Sequence, residues 1–555
     1  MAYPRRDRLL QRWAALESER SSWVDHWREI SDYVLPRSGR FFASDRNKGE
    51  KRHNNIYDNT GTLALRILGA GMMSGATSPA RPWFRLATPD PELMQFDPVK
   101  LWLHDVTRLM LDVFQRSNTY RSLHQIYEEL GSFGTAASIV TDDFDDVIHH
   151  HTLTAGEYAI ATDHRGTVGT LYRKFDMTVA QLVGEFGIDR VSQTVKGMHD
   201  SGNLDAWVTV IHAIEPRKDR DATKRDALNM PWKSCYFEIG MDDGKYLSES
   251  GFDEFPALCP RWSVSGGDIY GASPAMEALG DIRQLQHQQL RKAQGIDYMT
   301  KPPLQVPSSM KNRDVDTLPG GISFVDVSGP QGGIRTAFET RLDLNHLLAD
   351  IQDVRERVRS AFYADLFLML ANDTRSGITA TEVAERHEEK LLMLGPVLER
   401  LHNELLSPLV EMTFSRCLRA GILPPPPQEL QGVDLNVEFV SMLAQAQRAV
   451  GTNAVDRFVG NMGAVAQFKP DVLDKFDSDQ WADMYSDMLG VDPKLIVADD
   501  RVALIRQQRA QAQQQAQQAE MMQQQAAAAR DLASADTSGQ NALTDVTRMF
   551  SGYTT

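Results

Sequence analysis

The sequence predicts a mainly helical α+β fold built from several sub-domains, on three observations. Apolar residues recur at helical spacing over most of the chain, the repeat changes to period two after Ala137, and 555 residues exceed what one hydrophobic core organises. Apolar residues make up 42 % and charged residues 24 % of the chain, close to averages for soluble globular proteins. The longest uncharged stretch near the N-terminus, Ile67 to Ala80, is short and broken by glycine, so no membrane span is expected. The opening "MAYPRRDRLLQRW" is basic but has no apolar core or small-residue cleavage site, so no secretory signal is expected either.

Leu10, Trp13, Leu16, Trp23, Trp27, Ile30 and Tyr33 line one face of a first long helix that stops at Leu35–Pro36. Residues 59–75 read as a second helix rich in small residues, closed by the two prolines of "SPARPWF". Two more helices cover 99–116 and 119–134. From Ala137, the stretches "SIVTDDF", "GEYAIATD", "GTVGTLYRKF", "AWVTVIHAIEP" and "SCYFEIGM" alternate apolar with polar residues between Gly and Asp turns, as strands do. Tyr158–Thr162 and Thr167–Arg173 form a hairpin around "DHRG". Residues 1–275 therefore make an N-terminal α+β region.

Two amphipathic rods follow. Met276, Leu279, Ile282, Leu285, Ala293 and Ile296 mark a helix over 276–298, about 36 Å long. A Pro/Gly-rich, strand-like excursion spans 299–343. Leu344, Leu347, Leu348, Ile351, Val354, Val358 and Phe362 then mark a second helix, read as continuous over 344–370. The polar loop 371–379 ends at Thr379, which forms a capping box with Glu382 and opens a helix over 380–421. Pro396 and Pro408 lie inside that helix, remove backbone donors and predict kinks. Shorter helices are expected over 428–500. Gln and Ala fill 19 of the 25 positions in residues 506–530, "RQQRAQAQQQAQQAEMMQQQAAAAR", so 501–535 is either disordered or a helix stabilised by copies of itself. Residues 536–555 are loose and polar.

Catalytic signals are weak. "GMDDGK" (240–245) is one residue short of a phosphate loop and is followed by Tyr246 in place of Ser or Thr, and neither a GxSxG elbow nor an HExxH pair occurs. "TDDFDDVIHHH" (141–151) gathers Asp142, Asp143, Asp145, Asp146, His149, His150 and His151. Neighbours along a strand face opposite ways, however, so the segment reads as a solvated loop between strands, with metal binding as the alternative. "GSFGTAAS" (131–138) ends a helix and begins a strand, which suits packing and not phosphate binding. Cys235, Cys259 and Cys417 are widely spaced, without a CxxC pair; they fit a reducing cytoplasm and neither a disulfide framework nor a structural zinc. No cofactor and no metal is expected. A net charge of −16 disfavours a protein that coats nucleic acid.

The order of these features resembles the portal, or head-to-tail connector, proteins of short-tailed bacteriophages. The likeness is carried by "RWAALESERSSWVDHWREISDYVLPRSGRFF" (12–42), "IYDNTGTLALRILGAGMMSGATSPARPWFRL" (56–86), "GTAASIVTDD" (134–143) and "ATEVAERHEE" (380–389). It covers about residues 5–500 and implies a portal-type fold. In that fold 1–275 and 380–421 form the wing, 276–298 and 344–370 the stem, 299–343 the clip, 428–500 the crown and 501–535 a C-terminal helical barrel. Residues 371–379 become a tunnel loop, with Asn372, Asp373, Thr374, Arg375, Ser376 and Gly377 facing DNA. Arg355 and Arg359 are weaker candidates on the channel face of the stem.

The resemblance implies a dodecameric homo-oligomer in the virion, at one capsid vertex, assembled in the host cytoplasm. Double-stranded DNA passes through its channel. The implied partners are the terminase large subunit, tail adaptor proteins, and the major capsid and scaffolding or internal core proteins; no membrane is implied and no enzyme. The kinks at Pro396 and Pro408 would relay internal pressure to the loop. Two rivals stand beside this reading: another oligomeric virion protein of the tail or internal core, and a metal-dependent phage nuclease built on Asp142–His151.

Overall fold

The computed structural model describes residues 5–41, 55–90, 93–94, 96–224, 226–239, 246–306, 311, 333–337, 344–371, 393–430, 432, 435–441, 458–466, 468–469, 471, 475–489, 497, 499–534 and 549. The chain divides into two units, Met1–Leu473 and Asp474–Thr555.

In the first unit, helix α1 (Arg5–Tyr33) serves two cores. Leu9, Trp13 and Leu16 pack on Ala159, Tyr172, Ile211 and Phe237 of a β-sheet, whereas Trp27 and Ile30 enter the main helical core. The buried stripe differs from the expected one: Leu9, Arg20 and Val34 lie inside, and Leu10, Trp23 and Tyr33 are half-buried. Burying Arg20 is tolerable because its guanidinium donates to the carbonyls of Gly156 and Tyr158. Helices α2 (Thr60–Ala76), α3 (Asp97–Arg116) and α4 (Thr119–Phe133) follow, with strand β1 (Phe84–Ala87) between α2 and α3. α4 ends at Gly134, whose φ of +74° is left-handed and whose added Cβ would fall 2.1 Å from the Gly271 carbonyl oxygen, so glycine is required twice over. That supports the packing reading of "GSFGTAAS".

The period-two region folds as expected, into antiparallel sheets. β2 (Ala137–Asp143) pairs with β3 (Val147–Leu153) and with β9 (Ala257–Leu258). A five-stranded meander runs through β4 (Tyr158–Thr162), β5 (Val168–Thr178), β6 (Trp207–Pro216), β7 (Trp232–Glu238) and β8 (Ser248–Phe252). Helices α5 (Val179–Phe186) and α6 (Gln193–Asp200) sit between β5 and β6 and close a third small core around Val179, Leu182, Val195 and Val210.

Helix α7 (Pro274–Thr300) begins with the Ser273 hydroxyl accepting from the Met276 N–H and packs against α8 (Leu344–Ala361). Short strands β10 (Leu304–Gln305) and β11 (Arg335–Thr336) pair between them. The second rod is not continuous to 370: it breaks at Phe362–Tyr363 and resumes as α9 (Ala364–Ala371). Helix α10 covers residues 393–401 and runs through a π-helical turn, His402–Leu406, into α11 (Ser407–Arg419). The expectation of short helices from 428 needs correcting in part. β12 (Asn436–Phe439) returns to pair with β1, where Phe439 stacks on Trp83 and His402. Residues 458–466 form helix α12.

The second unit contains α13 (Ser478–Leu489) and α14 (Asp499–Ser534), a 36-residue helix holding the Gln/Ala run. Arg506 bridges to Asp479 with two contacts of 2.6 and 2.7 Å. Leu504, Ile505, Met521 and Met522 are exposed along α14.

One buried carboxyl ties α4 to the β3–β4 turn. Glu129 is fully buried and accepts from the Thr154 hydroxyl at 2.7 Å and the Ala155 N–H at 3.3 Å, while the Gly39 N–H donates to Thr154 Oγ1 at 2.8 Å. Burial pushes its pKa up to about 7 from 4.5. Below pH 4.5 the carboxyl is neutral in folded and unfolded chains alike. Above it the unfolded chain releases the proton first, so stability declines until about pH 7 and stays lower beyond. Replacing Glu129 by Gln should remove Glu129's share of that decline, about 3 kcal/mol, which urea unfolding at pH 4 and pH 8 measures.

Candidate functional site

Of the residues singled out in the sequence, Arg355 lies at the root of the α7–α8 helix pair. The proximal halves of both helices are anchored: Ala278, Leu279, Ile282 and Leu285 on α7, and Ile351, Val354 and Val358 on α8, are buried. The distal halves are not. Ile296 is 40 % exposed, Met299 46 % and Leu348 47 %, although apolar residues recur toward the distal ends of both helices. Ala293, counted in the expected stripe, is also exposed.

The anchoring runs through α2, whose glycines let neighbours approach closely. A Cβ on Gly61 would meet Ile282 of α7 at 3.2 Å, one on Gly69 would meet Glu128 of α4 at 3.0 Å, and one on Gly71 would meet the Phe367 ring of α9 at 2.2 Å. Gly131 of α4 reciprocates beneath Leu65 and Leu68, where a Cβ would fall at 2.6–2.7 Å.

A polar bolt sits at the start of α2. Asp58 is 7 % exposed; its carboxylate accepts from Arg355 at 2.7 and 3.0 Å, Gln289 at 3.0 Å, and the Thr60 N–H and hydroxyl at 2.9 and 2.5 Å. Gln286 reinforces it by accepting from the Tyr57 and Asp58 N–H groups and donating to the Asp58 carbonyl. Three segments distant in sequence thus meet at one carboxylate. Burial raises its pKa, but the Thr60 and Arg355 contacts outweigh burial and hold it below the usual carboxylate range. Its contribution to stability is therefore complete above that range and is lost on acidification through the lowered value.

Arg355 is accordingly engaged within its own chain. Arg359 is exposed on the last turn of α8, and Arg357 pairs with Asp281 and Asp353. Residues 372–377, together with Thr379 and Glu382, lie outside the described residues, as do residues 240–245.

Pro396 lies within α10, and Pro408 occupies the first turn of α11 directly after the π turn. There the Ser407 N–H reaches back five residues to the His402 carbonyl, widening the helix just where proline withdraws a donor. The widened turn aims Glu404 at Arg261, with contacts of 2.6, 2.9 and 3.2 Å. Arg261 is 5 % exposed and also donates to the Gly166 and Ile269 carbonyls. Nothing in the linear sequence singles out Glu404 or Arg261. Asp58 carries a local signal, since "YDNTG" before an apolar run is an Asx-type helix entry.

The acid- and histidine-rich stretch 141–151 is a hairpin and not a loop between strands. Asp143 Oδ1 caps the turn by accepting from the Asp145 and Asp146 N–H groups, and Asp142 pairs with Arg416 at 2.8 Å. Strand alternation separates the histidines. His150 is buried beside Thr119 and Ser138, with its pKa lowered to about 3 by burial and by Arg416, while His149 and His151 touch each other on the opposite face. Among the described residues, no three His, Cys, Asp or Glu side chains come together as a metal-ligand group. No helix among them is long and apolar enough to cross a membrane.

The described part of the first unit is organised around anchored helical rods, with buried polar groups tying together segments far apart in sequence. The family model described as bacteriophage head to tail connecting protein matches residues 6–497, so the chain belongs to that family. It is 69 % identical over 546 residues to a probable portal protein of Bordetella phage BPP-1, and 48 % identical over 547 residues to a portal protein of Salmonella phage epsilon15, each alignment covering 98 % of both chains. Among solved structures it is similar to a chain from the neck of an empty GTA particle, with 12 % identity and a TM-score of 0.35, covering 73 % of this chain and 86 % of that one. The resemblance carried by residues 12–42 and 56–86 is thereby established.

Truncating the bolt should be costly, because it strands Arg355, Gln289 and the Thr60 donors. Asp58→Ala is expected to lower unfolding free energy by about 3 kcal/mol, read as a drop in the urea midpoint at pH 7, and Asp58→Asn by less.

Proposed function

We propose that the chain forms a portal: a closed ring, of twelve copies, that conducts double-stranded DNA into and out of a phage head. Membership of the connector family and the relatives' designation as portal proteins support this reading. The observation that carries it is the contrast along the helix pair. Its inner halves are buried within the chain, yet Ile296, Met299 and Leu348 continue the apolar stripe into solvent. An apolar face kept to that length is accounted for by equivalent helices of neighbouring copies packed around an axis. α14 asks for the same solution, since a long Gln/Ala helix has little surface with which to hold itself against the chain.

In this assembly 276–298 and 344–370 are the stem, and 299–343 the clip that docks the terminase motor and later a tail adaptor. Residues 1–275 and 380–421 form the wing, 428–500 the crown, and 501–535 a barrel. Residues 372–377, with Arg375, face DNA, and Arg359 is the stem cation proposed to steer it. Arg355 is set aside because Asp58 holds it. An acidic chain, at −16 per copy, limits the phosphate contacts whose counterion release would fix DNA in place, so the strand slides. The hairpin at 141–151 gives the nuclease reading no support, since its three histidines divide between two faces.

Electron microscopy of the purified protein tests the proposal. Rings with a stem and an axial opening are expected, and a monomer persisting at high concentration would end it. The double variant Ile296→Lys, Leu348→Lys should leave helix content unchanged by circular dichroism while abolishing rings in sedimentation velocity.

A further inference from the structure

Helix α9 leaves α8 at a residue that resists its own conformation. Tyr363 has a φ of +54°, in the left-handed region that bulky L-residues rarely enter. Its N–H donates to the Ser360 carbonyl at 3.0 Å, and its carbonyl accepts from the Phe367 N–H at 3.2 Å, so one helix closes and the next opens across this residue. Nothing in the composition demands a break. Residues 344–371 contain neither glycine nor proline and are rich in strong helix formers.

The bend is held from outside. Phe362, Ala364 and Leu366 are completely buried and Phe367 is 5 % exposed, its ring lying in the notch left by Gly71, where a Cβ would fall 2.2 Å from Cγ and 2.3 Å from Cδ1. The Tyr363 ring sits 6.2 Å from Trp262. Apolar docking on α2 therefore opposes backbone strain at a single residue, and the relaxed alternative is a straight helix.

We infer that α9 is a hinged arm with two positions: docked on α2 with Phe367 in the Gly71 notch and bent at Tyr363, or released and running on as a continuation of α8. Gly71, Tyr363 and Phe367 are positioning residues that set where residues 372–377 begin. The weight this gives to DNA handling rests on the proposed function, but the hinge itself does not. An element with two discrete positions, biased by one contact, is the kind of device through which a neighbouring copy or passing DNA acts on a loop.

The three native cysteines are buried, so spin labels can be placed at Ser74→Cys and Leu368→Cys, both exposed, with labelled chains diluted among unlabelled ones. Pulsed dipolar spectroscopy on the otherwise unmodified chain should give one short distance. Phe367→Ala, which adds no atoms, should bring in a second, longer distance; retention of the short distance alone in this folded variant overturns the inference. Gly71→Ala should do the same by filling the notch. Adding Tyr363→Gly to it should shift the populations back by about tenfold, because glycine relieves the left-handed strain and disfavours the straight helix. A longer distance unaffected by Tyr363→Gly would also overturn the hinge. These distances are read within one chain, so failure of ring formation leaves them interpretable and marks failure of the portal reading instead.

Discussion

Close approach to one glycine-notched helix is the constraint on which the first unit depends. α2 has α7, α4 and α9 seated where Gly61, Gly69 and Gly71 lack side chains, and its own Leu65 and Leu68 rest over Gly131. A side chain at Gly71 would clash with the Phe367 ring, one at Gly69 would press on Glu128, and one at Gly61 would press on Ile282 close to the bolt at Asp58, which contacts α7 and α8. Packing at interior density leaves no slack to absorb a methyl group. The direction in which the helix pair leaves the core is therefore set by absent atoms as much as by present ones.

Around that hub the molecule spends its buried polar groups on joining segments far apart in sequence. Asp58 reaches Arg355, Arg261 reaches Glu404, and Arg416 reaches both Asp142 and the Val140 carbonyl. Asp58, Arg261 and Arg416 are buried, and such charges would be costly to bury unless paired and hydrogen-bonded. The π turn at 402–406 belongs to the same economy of ties. Its extra residue per turn re-aims Glu404 while accommodating Pro408.

What was legible in advance follows from the range of the interactions. The period-two strands and the change from helix to strand at residues 131–138 depend on residues a few positions apart, and sequence patterns report such neighbours well. In the stripe of α1, Trp13, Leu16, Trp27 and Ile30 are buried as expected, whereas buried Arg20 is invisible to a search for apolar residues. The break at Tyr363 was missed for a related reason: the local pattern favours a continuous helix, and the bend arises from a contact with Gly71, nearly three hundred positions away. β12 escaped notice because a four-residue strand takes its identity from the partner it pairs with.

The sequence by itself determined the family, the mainly helical α+β character and the approximate course of the two rods. These are properties of local backbone preference and of apolar spacing, which the order of residues encodes directly. Only the tertiary structure decided which cations are already committed, which half of each rod is covered by its own chain, and where the second rod bends. Those outcomes are fixed by desolvation and close packing between segments brought together by folding, and no window of the linear chain contains both partners.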